Sequence, residues 1–175
     1  MIVPLLTERL RLREIVETDF DALRAIASDP EVLRYRSRTE ITPAATREFI
    51  DNAKAKAAEQ PRQQYALAAV RHDDLRVIGE LGLTITNAQY DEAFMWYSMN
   101  RAYWGQGYAT EAAARLLRFG FEEGGLRRIF AECHLENAAS ARVLQKIGLL
   151  PETVADGNRL RFGLTKSDLG GAPGP

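Results

Sequence analysis

The sequence predicts an α/β fold in one domain, a mixed sheet flanked by about four helices. Three observations carry this. Segments with strand and helix periodicity alternate in the order strand, helix, helix, then strands, helix, strand, helix, strand. Helix boundaries carry caps, prolines and glycines. The chain's 175 residues suit one core and are short for two.

Leu10 and Leu12 alternate with Arg9, Arg11 and Arg13, the period of a half-buried strand. Thr18 is expected to open a helix as N-cap, with Asp19 and Asp21 in its first turn and Phe20, Leu23 and Ile26 at helical spacing. Asp29-Pro30 ends it, since a residue before proline avoids the helical region. Thr42-Pro43 starts a second helix that runs past Phe49 and Ile50 through the alanine-rich 53–58 and stops by Pro61. Residues 65–71 and 76–86 read as a hairpin turning at His72-Asp73-Asp74, and 93–99 as a third strand. After the loop Trp104-Gly105-Gln106-Gly107, residues Ala109, Ala112, Ala113, Leu116 and Leu117 share one helical face, closed by Gly124-Gly125. Residues 128–135 form another strand, 137–147 a short helix closed by Gly148, and 160–164 a last strand. The domain is expected to span 1–168, with 169–175 a disordered tail.

Apolar residues make up 46% and charged residues 27%, and the net charge is −1. That balance calls for no nucleic-acid partner. One cysteine, Cys133, excludes an internal disulfide framework, and with only His72 and His134 the metal-ligand set is poor. No basic segment leads into an apolar run at the start, and no stretch has the length and apolarity of a bilayer span. The expectation is a cytoplasmic protein without metal or membrane partners.

The strand–loop–helix junction at Trp104 to Thr110 is the feature with chemistry. First-turn N–H groups lack intrahelical acceptors, the helix dipole adds positive charge, and glycines let an anion approach the backbone. A dinucleotide fingerprint would need more glycines and a later acidic residue, and an NTPase loop a Lys-Ser/Thr pair; Tyr108-Ala109 follows Gly107 instead. On the residues alone, a phosphate site and a plain tight turn both remain open.

The run Trp104-Gly105-Gln106-Gly107-Tyr108-Ala109-Thr110-Glu111-Ala112 resembles the GCN5-related N-acetyltransferase (GNAT) superfamily, in the branch of the ribosomal-protein alanine and serine N-acetyltransferases. Thr7-Glu8-Arg9-Leu10, Asp29-Pro30-Glu31-Val32, Asn137-x-x-Ser140 and Lys146-Ile147-Gly148 are similar to that branch in the same order, over about residues 5 to 150. The resemblance implies a mostly antiparallel sheet that splays open mid-way, with the pantetheine of acetyl-CoA in the gap. It implies pyrophosphate binding by Trp104, Gly105, Gln106, Gly107, Tyr108, Ala109 and Thr110, and a hydrogen bond from Asn137 to the pantetheine arm. Asn137 also suits a plain N-cap. Ser140 is the candidate to protonate the leaving thiolate, or is an ordinary helix serine. The superfamily's usual tyrosine seven residues after the asparagine is absent, because Leu144 stands there.

The implied reaction is direct acetyl transfer from acetyl-CoA to a primary amine, a protein N-terminus or a small molecule, in a ternary complex. A backbone N–H near Met99 would polarise the oxyanion, and the protein is a possible homodimer. The alternative is an acyl-CoA-binding or regulatory domain without catalysis. A base must deprotonate the acceptor ammonium. Glu132, which shares one strand face with His134, is the first candidate; Glu80 and Glu92 are others, and each also suits a surface charge. Cys133 reads as a small core residue rather than a nucleophile, and Trp96 and Tyr97 as core or acceptor-pocket walls. The segment from Leu149 to Asn158 reads as short where branch members carry a longer hairpin, so the acceptor is left open.

Overall fold

The computed structural model describes residues 4–35, 42–155 and 157–170. Its strands are β1 (Leu5–Leu6), β2 (Leu10–Glu14), β3 (Gln64–Arg71), β4 (Val77–Asn87), β5 (Glu92–Met99), β6 (Arg128–His134), β7 (Leu150–Ala155) and β8 (Arg159–Thr165). They form one open sheet in the order β1-β2-β3-β4-β5-β6-β8-β7. The helices are α1 (Phe20–Ser28), α2 (Pro30–Leu33), α3 (Pro43–Ala58), α4 (Tyr108–Glu122) and α5 (Ala138–Lys146). Among the described residues no helix is long and apolar enough to cross a membrane.

Side-chain alternation sorts the sheet into two faces. Leu10 and Leu12 of β2, Leu67 and Ala69 of β3, Leu81 and Leu83 of β4 and Ile129 and Ala131 of β6 join Ala112, Leu116 and Phe119 of α4 in one core. Ala66, Ala68 and Val70 of β3 pack on the opposite face with Leu23 of α1 and Ile50 and Ala53 of α3. The small side chains of β3 on that face let α3 lie close to the sheet.

One pairing positions the site. All neighbours are antiparallel except β5 and β6, which run parallel. That pair matches only Glu92, Ala93 and Phe94 with Arg128, Ile129 and Phe130, although both strands continue. Past Phe94 and Phe130 the sheet is split. The N–H of Asn100 donates to the Ile78 carbonyl at 2.8 Å, so even-numbered residues of β5 bond to β4. Antiparallel alternation then turns the backbone N–H and C=O groups of Tyr97 and Met99 toward the split.

Several expectations need correction. Thr18 does not cap α1: it sits inside a 3-10 turn, Glu17–Asp19, and Asp19 holds the N-cap position of α1. Asp19 is 2% exposed and takes both Arg13 guanidinium nitrogens at 2.7 Å and the Val16 N–H at 2.9 Å. A buried two-pronged ion pair fixes the start of the helix where a lone hydroxyl would not. Asp29 does end α1, but its side chain then accepts from the Glu31 N–H at 2.9 Å and Pro30 opens the extra helix α2. The segment from Leu149 to Asn158, in which the sequence predicts no strand, holds β7, hydrogen-bonded to β8 at the sheet edge; an edge strand tolerates Pro151. Of the expected tail, residues 169–170 belong to a 3-10 turn, Asp168–Gly170, and 171–175 lie outside the described residues.

Candidate active site

A cavity of about 1260 Å³ runs through the split, lined from both faces of the sheet. On the α4–α5 face its walls include Met99, residues 103–105 and 107–110, Cys133, Asn137 and Ser140, whereas Gln106 is not among the lining residues. On the α1–α3 face they include Tyr35, Phe49, Phe94, Trp96, Glu80 and Glu132. Gly82 makes room for this second half, since a side chain there would collide with the Trp96 ring and the Tyr65 carbonyl.

The expected phosphate loop is an uncapped helix start. Gly107 is the N-cap of α4, at φ 83°, and no side chain bonds to the first turn. The N–H groups of Tyr108, Ala109 and Thr110, with no intrahelical acceptors, therefore stand at the dipole's positive end in the cavity wall. Trp104 and Gln106 shape the loop: the Trp104 indole N–H donates to the Met99 carbonyl at 2.8 Å, and the Gln106 amide to the Ala102 carbonyl at 3.0 Å. With its C=O so engaged, Met99 presents its N–H to the split.

Sequence reasoning missed what braces this loop. Glu111, in the first turn of α4, accepts from the Thr7 hydroxyl at 2.6 Å, the Arg9 N–H at 2.8 Å and the Arg9 guanidinium at 2.6 Å. Arg9 also donates to the Gln106 carbonyl at 3.0 Å and lies 4.2 Å from the Tyr108 ring centre. Burial works against ionisation of Glu111, but these bonds outweigh it and its carboxyl is held below the usual range. The signal was present: the motif Thr7-x-Arg9 and the motif residue Glu111 are one cluster.

Asn137 and Ser140 stand at the head of α5. The Asn137 carboxamide oxygen accepts from the Ser140 N–H at 3.0 Å, the N-cap geometry, and its NH₂ is left to donate. The Ser140 hydroxyl is 2.7 Å from the Tyr97 hydroxyl. Burial pushes the Tyr97 phenol up to about 12, against the opposing pull of Ser140. Burial also raises the Cys133 thiol, which disfavours the thiolate a nucleophile requires; Cys133 belongs to the core. Leu144 is fully buried.

Glu132 lines the cavity, but Arg161 holds one oxygen at 2.7 Å and Arg159 approaches the other at 3.5 Å. Glu92 is ion-paired with Arg128 at the start of β5 and is not among the cavity-lining residues. Glu80 is 5% exposed, opposite Ser98 in the β4–β5 register, and lines the cavity. His134 stacks near Tyr35, with ring centres 5.9 Å apart.

The split parallel pair thus lies beside an uncapped helix start whose free N–H groups suit an anion. The sequence matches the acetyltransferase (GNAT) domain over residues 9–150, and the chain belongs to that family. It is 32% identical to the uncharacterized N-acetyltransferase p20 of Bacillus licheniformis, covering 95% of this chain and 98% of that one. A GNAT-family acetyltransferase from Bacillus anthracis superposes with a TM-score of 0.80 at 25% identity, covering 94% and 99% of the two chains. RimJ of Mycobacterium smegmatis, in complex with CoA-disulfide, shares the fold with a TM-score of 0.78 at 22% identity, covering 91% and 83%. The protein is an acetyl-CoA-dependent N-acetyltransferase.

Proposed function

We propose that the protein moves the acetyl group of acetyl-CoA directly onto a primary amine, with both substrates bound in the one cavity. The observation that carries this is a single cavity reaching from the open head of α4, through the split, to a half walled by aromatic and acidic side chains on the other face. In this reading the pyrophosphate lies on the N–H groups of residues 108–110, the Asn137 NH₂ donates to the pantetheine arm, and the thioester sits beside Met99.

The acceptor enters from the α1–α3 face. Its rim carries the exposed carboxylates Glu48, Asp51 and Glu136, which attract an ammonium group by long-range electrostatics. Phe49 and Trp96, 6.2 Å apart at their ring centres, offer apolar surface to the carbon chain that bears it. Glu80, buried on that face, takes the ammonium proton. Glu132 instead holds Arg161 and Arg159 in the wall.

Neutral nitrogen then attacks the carbonyl carbon, and the Met99 N–H stabilises the charge that develops on oxygen. Holding two reactants in line supplies much of the acceleration. The test is thiol release from acetyl-CoA over a panel of amines that includes polyamines and peptides beginning with Ala and Ser. Release with at least one amine, and formation of its acetyl-amide, is expected; CoA binding without thiol release from any amine sinks the reading in favour of a non-catalytic acyl-CoA-binding domain.

A further inference from the structure

Resting on that reading, we infer that Tyr97 is a positioning residue for the leaving sulfur: it holds the Ser140 hydroxyl as a hydrogen-bond donor at the point where the carbon–sulfur bond breaks. Tyr97 comes from β5, three residues past the last β5–β6 pair, and Cys133 occupies the matching place on β6. Ser140 comes from the first turn of α5. The 2.7 Å contact between the Tyr97 and Ser140 hydroxyls therefore joins one wall of the split to the helix that closes it, and both residues line the cavity. Leu144, one turn beyond Ser140, is sealed in the core, so α5 itself brings no phenol to this place. The strand brings it instead.

The arrangement decides between two roles for the pair. A thiol has an ordinary pKa of about 8.5, whereas burial pushes the Tyr97 phenol up to about 12. Full transfer of the phenol proton to the departing thiolate is then uphill by more than a thousandfold. Donating a hydrogen bond carries no such penalty. Either oxygen of the 2.7 Å pair can donate, and the Tyr97 O–H also reaches the Ser140 carbonyl at 3.3 Å; in the inferred arrangement Tyr97 keeps its proton and donates to the Ser140 hydroxyl, and a hydroxyl that accepts one hydrogen bond is a stronger donor of its own. The Ser140 O–H then points to sulfur.

As the amide forms, the carbon–sulfur bond breaks and its electron pair remains on sulfur. The thiolate accepts the Ser140 hydrogen bond, both hydroxyl protons stay on oxygen, and solvent protonates the thiolate after release. One ammonium proton has already left on the acceptor side, and the second N–H proton, made acidic once nitrogen bonds to carbon, leaves to solvent as the amide forms. With a thiolate as the other product, atoms and charge balance without an acid on the enzyme.

The test compares wild type, Tyr97→Phe, Ser140→Ala and the double variant at saturating acetyl-CoA and amine, with KM for acetyl-CoA measured in each. One lost neutral hydrogen bond to a developing charge is expected to lower kcat about tenfold in either single variant. KM should not change, and the double variant should be no slower than the slower single one. Wild-type kcat should stay level from about pH 8 to 9.5, because a hydrogen-bond donor has no acid limb there.

Full kcat in Tyr97→Phe, a loss confined to KM, losses that multiply in the double variant, or a kcat that falls through that pH range would each overturn the proposal. Ser140→Ala removes the same contact from the helix side and keeps the comparison decisive where Tyr97→Phe lowers the melting temperature. Wild type that releases no thiol with any amine refutes the transferase reading itself, a result distinct from all of these.

Discussion

Arg9 grips Glu111 at 2.6 Å across 102 residues of sequence, and the grip ties strand β2 to the first turn of α4. The same guanidinium reaches the Gln106 carbonyl and covers the Tyr108 ring. Loop, helix start and sheet are thereby tied together, and the proposed anion site, made of backbone N–H groups, would depend on that brace. Acetyl-CoA at about 100 times its Kd should add roughly 2.7 kcal/mol of stability. For a chain of this size that is a melting shift of about 5–10 °C. Arg9→Ala should need about tenfold more acetyl-CoA for the same shift, a loss of about 1.4 kcal/mol. Arg9→Lys should recover little of it, since an ammonium does not reproduce the planar fork. An unchanged acetyl-CoA titration in Arg9→Ala would show that the loop needs no brace.

Acid should release the same brace. Glu111 is held below the usual carboxylate range: burial raises it, but the Thr7 and Arg9 bonds prevail. A folded-state pKa below the unfolded value, about 4.3 for glutamate, contributes stability that is fully present above the unfolded value. That contribution is lost as pH falls through the folded value. Urea unfolding should therefore show Glu111→Gln less stable than wild type at pH 7, with the gap closing below about pH 4. A gap that stays constant from pH 7 to pH 3 would contradict the linkage.

The strand and helix pattern was legible because its signals are local. Thr42, read as the N-cap of α3, accepts from the Ala45 N–H, and Gly125 takes the positive φ expected just beyond α4. The errors came where a distant partner decides. Thr18 and Asp19 are both acceptable caps locally, and the Arg13 ion pair places Asp19 at the N-cap position although its side chain makes no capping bond. Residues 150–155 carry Pro151 and few signals of their own, and become a strand because β8 offers an edge. The candidate phosphate loop stands out in the sequence through its motif, whereas its brace needs two motifs to meet in space. The missing tyrosine was correctly read as absent from α5; that a tyrosine of β5 reaches Ser140 follows from the split, which no local spacing encodes.

Gly107 should be intolerant because of its backbone rather than for lack of space. Its φ of 83° is one that L side chains seldom adopt, and an added Cβ would meet only Arg9, at 3.4 Å, an ordinary contact. Gly107→Ala should therefore cost about 1–2 kcal/mol of stability. Gly107→Asn should cost less, because asparagine visits this region more readily. Equal losses for the two in chemical denaturation would point to steric crowding instead and refute the backbone argument.

Glu80 and Glu132, two of the acidic residues lining the proposed acceptor half, should behave differently when neutralised. A general base needs an oxygen able to take a proton, and both oxygens of Glu132 face arginines, Arg161 at 2.7 Å and Arg159 at 3.5 Å. Glu132→Gln leaves those cations less balanced beside a site that is to receive an ammonium, so it should raise KM for the amine and change kcat little. Glu80 is buried in the sheet on the same face. Glu80→Gln keeps the shape and removes the basic oxygen, and loss of a general base typically lowers the rate by about 100-fold or more. The measurement is kcat and kcat/KM for the best amine of the panel between about pH 5.5 and 9, with melting temperatures to confirm that both variants are folded. A Glu80→Gln enzyme within about threefold of wild type would mean that the ammonium loses its proton to water, and Glu80 would leave the mechanism.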